Sequence, residues 1–251
     1  MNKLFLDKKA QQINSFDERF YTIDGKTFYP SVTTVLQSYP KGSFFEKWLM
    51  DTGRNAESIK QEAGIQGTNV HNAIEHFLKG GELLMMNEDG AEFYTLNEWK
   101  MICRFMGFWD YVGIDRDHIE IEQILFSDQM KLGGTGDLVV EIDNENWFID
   151  HKTSNAMHKT YRIQLAVYKK MWELQNPDRK IDKYGVLWLN AKTRTKKGYT
   201  QGSGWQLIDY SEYFDQDIKL YENVRAIWDE ENKNYTPKNL TYPNRFQMKK
   251  K

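Results

Sequence analysis

Apolar residues along this chain recur with two periods, three to four residues in some segments and two in others, and the changes of period mark out the elements. Between Thr68 and Leu78 the apolar positions Val70, Ala73, Ile74, Phe77 and Leu78 keep helical spacing, which puts His71 and Glu75, four apart, on one flank. Gly80-Gly81 ends that helix. The stretch from Phe44 to Gln66 is also helical in character, with Phe45, Trp48 and Leu49 as its expected buried stripe and Gly67 as its interruption. A third helix is expected over Thr95–Val112, rich in Trp and Phe, with Cys103 among its packed residues. Residues 159–175 carry Ile163, Ala166, Val167, Met171 and Leu174 at helical intervals, so Gln164 and Tyr168 share a face. A last amphipathic helix runs through Phe214, Ile218, Tyr221, Val224 and Trp228, with Ser211 as its expected cap. Near the start, residues 20–27 read as a hairpin turning at Asp24-Gly25, and Ser31, Thr33 or Thr34 caps a short helix that closes before Pro40. Strands are expected at 119–126, 136–142 and 147–152, then at 184–190 and 205–210.

The stretch Gly133 to Lys152 concentrates the chemistry. Two short strands surround a polar turn and carry Asp137, Asp150 and Lys152. If the strands pair symmetrically about a turn at Asp143–Asn146, Asp137 lies opposite Lys152 and Val139 opposite Asp150. Opposed residues share a face, so both acids and the lysine point the same way. Two carboxylates and an ammonium in one spot are costly to bury without a cation, because like charges would otherwise neutralise. A salt bridge explains two of the three, and a metal site explains all of them.

Composition narrows the class. A chain of 251 residues can bury one sizeable core, so one domain is expected over 1–251, with a helical N-terminal portion and a loose basic tail after about residue 232. The single Cys103 excludes a disulfide framework, a four-cysteine zinc site and an iron–sulfur cluster held by this chain alone. Only three consecutive apolar residues precede Asp7, far short of a signal-peptide core, and no arginine-rich transit peptide is evident, so a bacterial or viral-host cytoplasm is the expected location, with no membrane partner. The net charge of −2 averages over unlike blocks: residues 81–150 sum to −12 and residues 151–200 to +9. An acidic block that ends in the proposed ligands, followed by a basic one, suits a cation beside a phosphate-attracting surface.

Taken in order, His71 on a helix, Asp137 after Gly-Gly-Thr-Gly, Asp150-His151-Lys152 on the next strand, and Gln164 with Tyr168 on the following helix form one pattern. It resembles the PD-(D/E)XK nuclease superfamily, and within it the RecB-type nucleases. Tyr29-Pro30-Ser31-Val32-Thr33, Gln66-Gly67 ahead of His71, and Asp150 to Ser154 are further similar to the mitochondrial genome maintenance exonucleases and their bacterial or viral relatives. The resemblance runs over residues 28–190. Two features depart from it: His151 stands where hydrophobic or aromatic residues are more familiar, and the cysteine set of the iron–sulfur members is missing.

The resemblance implies an α/β, restriction-endonuclease-like fold, a central mixed sheet flanked by helices. It implies Asp137, Asp150, Lys152, Gln164 and Tyr168 as catalytic residues. The ligand types, carboxylates of Asp137 and Asp150 with a carbonyl of His151, suit Mg²⁺ or Mn²⁺, and His71 tilts the preference towards Mn²⁺. Lys152 would orient or deprotonate a water, or hold the scissile phosphate; Gln164 would orient Lys152 or the water, and Tyr168 would support that network or touch the DNA backbone. Glu122, on an expected strand, either orients the site or is structural, and Glu75 reads as an ordinary helix carboxylate. For DNA contacts the sequence offers the loop cations Lys192, Arg194, Lys196 and Lys197 beside Tyr199 and Trp205, and, closer to the site, Lys159, Arg162, Lys169 and Lys170. The expected activity is divalent-metal-dependent hydrolysis of DNA phosphodiesters, exonucleolytic on single strands or free ends. A structure-selective endonuclease with the same site and a catalytically idle nucleic-acid-binding recombination module are the alternatives.

Overall fold

Strand order and helix placement follow from the alternation of apolar residues in the central strands. The computed structural model describes residues 10–15, 18–114, 118–191, 204–238, 243, 245 and 247. The chain opens with a small antiparallel sheet, β1 (Gln11–Ser15), β2 (Glu18–Thr22) and β3 (Tyr29–Pro30), and continues through helices α1 (Val32–Leu36), α2 (Gly42–Thr52), α3 (Ala56–Leu78) and α4 (Leu96–Val112). Then come β4 (Ile119–Ser127), β5 (Leu132–Ile142), β6 (Glu145–Lys152), α5 (Lys159–Gln175), β7 (Lys183–Trp188), β8 (Gln206–Asp209) and α6 (Phe214–Glu231). The second sheet has the order β4-β5-β6-β7-β8, antiparallel except for the β6–β7 pair. A parallel neighbour needs a long crossover, and α5 supplies it.

Period-two alternation sends successive side chains to two cores. Val139, Phe148, Tyr184 and Val186 face α1, α5 and α6. Leu138, Val140, Trp147, Ile149 and Leu187 face α3 and α4. This is the expected mixed sheet flanked by helices. None of the described helices is long and apolar enough to cross a membrane.

Several local expectations are corrected. The hairpin turns on two residues, Asp143 and Asn144, both with positive φ, and not on the four residues 143–146. Positive φ at both central positions is what the twist-matched two-residue turn requires, and Asp-Asn tolerates it. The register therefore moves by one residue on each strand: Val139 pairs with Phe148 and not with Asp150. Gly67 does not break the helix; the break falls at Gly53, whose φ is 58°, ahead of α3. At Gly67 a side chain would instead meet Thr153, with Oγ1 only 3.1 Å from an added Cβ, so the glycine lets α3 close onto the end of β6.

The α2 stripe is not core. No residue of that helix is buried, and Phe44 and Met50 are among its most exposed side chains. Cys103 is exposed, on the outer flank of α4. Thr95 caps α4 in a capping box with Glu98. Ser211 is no helix cap: its hydroxyl donates to Asp209 and receives the backbone N–H of Tyr184. The N-terminal portion is led by a three-stranded sheet, of which β1 lies outside the expected elements. That sheet lies on β5 at the glycines: Ser31 bridges Gly133, and any side chain at Gly133 would collide with the Tyr21 ring.

Candidate active site

The β5–β6 ladder is regular from the turn up to Leu138↔Ile149 and then opens. Beyond that pair the backbone N–H of His151 donates to Asp137 Oδ2 at 2.7 Å, so a side-chain carboxylate occupies the gap where a strand carbonyl would otherwise sit. The same oxygen lies 3.5 Å from Nδ1 of His71 on α3 and 3.6 Å from Nδ1 of His151. One donor atom from each of His71, Asp137 and His151 falls within 4.8 Å of the others. The sequence led to the carbonyl of His151; the structure brings its imidazole. That ring is buried edge-on against Phe105 of α4, 5.2 Å between centroids. His71 reaches the site because it lies four residues after Gly67, on the helix flank that approaches β6.

Asp150 and Lys152 alternate onto the α5 side of β6, next to the gap. Their Oδ2 and Nζ are 2.5 Å apart, a close ion pair with the carboxylate buried. Carried one step past Leu138↔Ile149, the register would set Asp137 level with Asp150 and not with Lys152, and the charge of Asp137 acts on both of them. A shift of one residue on each strand conserves facing, because it keeps the parity of the pairs. The expected solvent-accessible position is not found for Asp150, whose side chain is 4% exposed, while that of Lys152 is 17% exposed.

The charges around the gap shift its acids and bases. Burial, reinforced by His71, pushes His151 down to about 3, so its imidazole is neutral with a free lone pair. Burial works against the Lys152 ammonium, but the Asp150 and Asp137 carboxylates more than offset it and hold Lys152 above the ordinary lysine range. Glu122 joins the site from β4. It sits between the pairs Ile121↔Leu138 and Gln123↔Gly136, opposite Asp137, with a left-handed φ of 50° that a glutamate inside a strand rarely adopts. Burial, then Asp137 and Glu75, push its carboxyl up to about 7. No spacing signal marks Glu122, because its importance comes from strand register. Glu75 is a helix carboxylate paired with Lys79.

Gln164 and Tyr168 do share a face of α5, and the Gln164 amide donates to the Tyr168 hydroxyl at 2.9 Å and to Thr33 Oγ1 at 3.1 Å. The pair thus ties α5 to the start of α1 and to the glycine strand, where a side chain at Gly134 would strike the Tyr168 ring. Tyr168 is 3% exposed, which removes it from contact with a DNA backbone.

The basic residues divide. Lys159 is exposed and Lys170 half-buried. Arg162 instead turns to α6, where it pairs with the fully buried Asp217 at 2.8 Å and lies over the Tyr213 ring. Lys169 pairs with Glu173 and lies over Phe214. Both were expected at DNA; their long stems cover core edges and their charges are taken up inside the fold. Lys192, Arg194, Lys196 and Lys197 lie outside the described residues, as does most of the tail after residue 238.

A family model described as the PD-(D/E)XK nuclease superfamily matches residues 46–239. Among solved structures, a Eubacterium rectale protein named "putative exonuclease" is similar at 15% identity and a TM-score of 0.42, over 74% of this chain and 76% of that one. A protein named SSO0001 is similar at 14% identity and a TM-score of 0.32, over 83% of this chain and 77% of that one. No curated protein matches. Since the matched segment takes in the whole of the gap, the Asp150–Lys152 pair and α5, the chain belongs to the PD-(D/E)XK nuclease superfamily.

Proposed function

We propose that this protein is a divalent-metal-dependent deoxyribonuclease that hydrolyses DNA phosphodiesters from free ends or single strands. The observation that carries the hydrolytic part is the meeting of His71, Asp137 and His151 in the gap between β5 and β6, beside the Asp150–Lys152 pair. The preference for ends and single strands rests on the likeness of the motif set to RecB-type nucleases.

The residues fit a divalent cation. Asp137 and the imidazoles of His71 and His151 would hold it, with the Asp150 carboxylate alongside, and two nitrogen donors favour Mn²⁺ over Mg²⁺. Such an ion supplies positive charge that polarises a phosphate and makes water more acidic. The chain's own groups set the rest. Lys152, an ammonium held beside Asp150, would hold a phosphate oxygen or orient the water. Neutral His151 offers a lone pair without competing for the phosphate as a cation. Gln164 and Tyr168 hold α5 against α1 and β5, which fixes the wall next to Lys152.

The test is incubation with linear and closed circular single-stranded DNA, in Mg²⁺, in Mn²⁺ and in chelator. Loss of the linear form alone, in metal alone, is the expected result. Cutting of the circle would make the protein an endonuclease, and binding without turnover in either metal would make it an idle module.

A further inference from the structure

Lys152 is the side chain whose placement needs the most explanation. Its backbone is fixed, since Lys152 pairs with Trp188 of β7 and its carbonyl accepts the N–H of Leu189 at 2.8 Å. Its side chain has four rotatable bonds, and a free ammonium would be drawn out to solvent from a site it must stay in. Asp150 takes one side of the ammonium. On another side lies the ring of Tyr161, from the first turn of α5, with its centroid 4.8 Å from Nζ. A cation over the face of an aromatic ring is held by the ring quadrupole, most strongly where water is displaced.

We infer that Tyr161 is a positioning residue for Lys152, its ring holding the ammonium beside Asp150 and leaving the remaining side open to a phosphate. The inference rests on the nuclease reading above. Tyr161 lies three residues before Gln164 and seven before Tyr168, so the three share one flank of α5. The lower two anchor that flank to α1 and β5, and the upper one presents its face to the lysine. The ring is itself braced: His158 meets it edge-on, 5.2 Å between centroids and 89° between planes. Its partly buried position against the α5 core keeps it from swinging away. The ring, and not the hydroxyl, carries the role.

Three replacements of Tyr161 separate positioning from packing. Tyr161→Phe keeps the ring face. Pentafluorophenylalanine at that position keeps shape and burial but reverses the quadrupole. Tyr161→Leu removes the ring. The expected order of kcat on linear DNA is wild type equal to Phe, with pentafluorophenylalanine and Leu roughly tenfold lower, at unchanged KM and with the pentafluoro variant as heat-stable as Phe. In parallel, the Lys152 ε-methylene NMR signal is expected at a ring-shifted, upfield position in wild type and Phe, and at an ordinary position in Leu. Wild-type kcat in Tyr161→Leu, equal kcat in the pentafluoro and Phe variants, or an unshifted Lys152 signal in the wild type would each overturn the inference. A wild type that cuts no DNA while its Lys152 signal is ring-shifted would instead bring down the nuclease reading, with the contact itself upheld.

Discussion

Two buried acid–base pairs lie on the same side of the sheet and look alike as contacts, but they are built for different ends. Arg162 and Asp217 join α5 to α6, with the carboxylate fully buried and the guanidinium covered by Tyr213. Asp150 and Lys152 sit on one strand, the ammonium still 17% exposed, with further acids, Asp137 and Glu122, pressing on the same space. A sealed pair balances its own charge. The second pair stands in a surplus of negative charge with one side open, an arrangement that suits a cation and a phosphate. Burial of an ion pair alone therefore does not mark a site; unbalanced charge beside an opening does.

Replacement of the pairs should break this likeness. Lys152→Ala and Asp150→Asn are each expected to lower DNA cleavage by about a hundred- to a thousandfold. Asp150→Asn should leave the melting temperature nearly unchanged, because Asp137 still compensates Lys152. Asp217→Ala should do the reverse. It strands a buried guanidinium at a cost of roughly 3–5 kcal/mol, which lowers the melting temperature by roughly ten degrees in a chain of this size, while cleavage per folded molecule is retained. Calorimetric melting beside a gel assay of cleavage reads both; loss of stability without loss of activity at Asp150 would equate the two pairs.

His71→Ala sharpens the contrast through the metal. It removes one nitrogen donor, so the Mn²⁺ concentration for half-maximal cleavage should rise roughly tenfold, with a smaller change for Mg²⁺. Equal changes in both would place His71 outside the metal's reach.

The smallest effect concerns pH. Glu122 is held near 7 in the fold against an ordinary carboxylate value when unfolded, so its contribution to stability is complete at low pH and is lost as pH rises through 7. His151 acts with the opposite sign. Held to about 3, it contributes fully above the ordinary histidine range and loses that contribution as pH falls towards 3. In the wild type the two slopes offset one another between the ordinary carboxylate and histidine values. Glu122→Gln should therefore gain about 2–4 °C over the wild type at pH 8 relative to pH 5, and should melt progressively lower as the solution is acidified. Parallel melting curves across pH would show that Glu122 ionises as an ordinary carboxylate.

Much of this was legible in the residues, and the failures have identifiable causes. Helix α5 spans the expected 159–175, because its apolar positions keep one period throughout. The facing expected for the two aspartates and the lysine does not hang on the turn, since strand parity depends on whether the register moves by an odd or an even sum, and the observed register moves by an even one. What failed depended on tertiary context. The aromatic stripe of α2 has the spacing of a core face, but Phe45 and Trp48 pack on one another and no residue of the helix is buried. Gly67 reads as a helix breaker in isolation and proves to be a point of close approach to Thr153. His151 is legible only for its carbonyl and Glu122 only as either orienting or structural, because the opening of the β5–β6 ladder and the left-handed backbone of Glu122 leave no periodic trace.

The central claim is that the gap between β5 and β6 holds a divalent cation on Asp137 and the two imidazoles. Calorimetric titration of Mn²⁺ into the wild type and into Asp137→Asn tests it most directly. Saturable binding in the wild type and its loss in a variant that still folds is the predicted result. Unchanged Mn²⁺ binding by Asp137→Asn would contradict it.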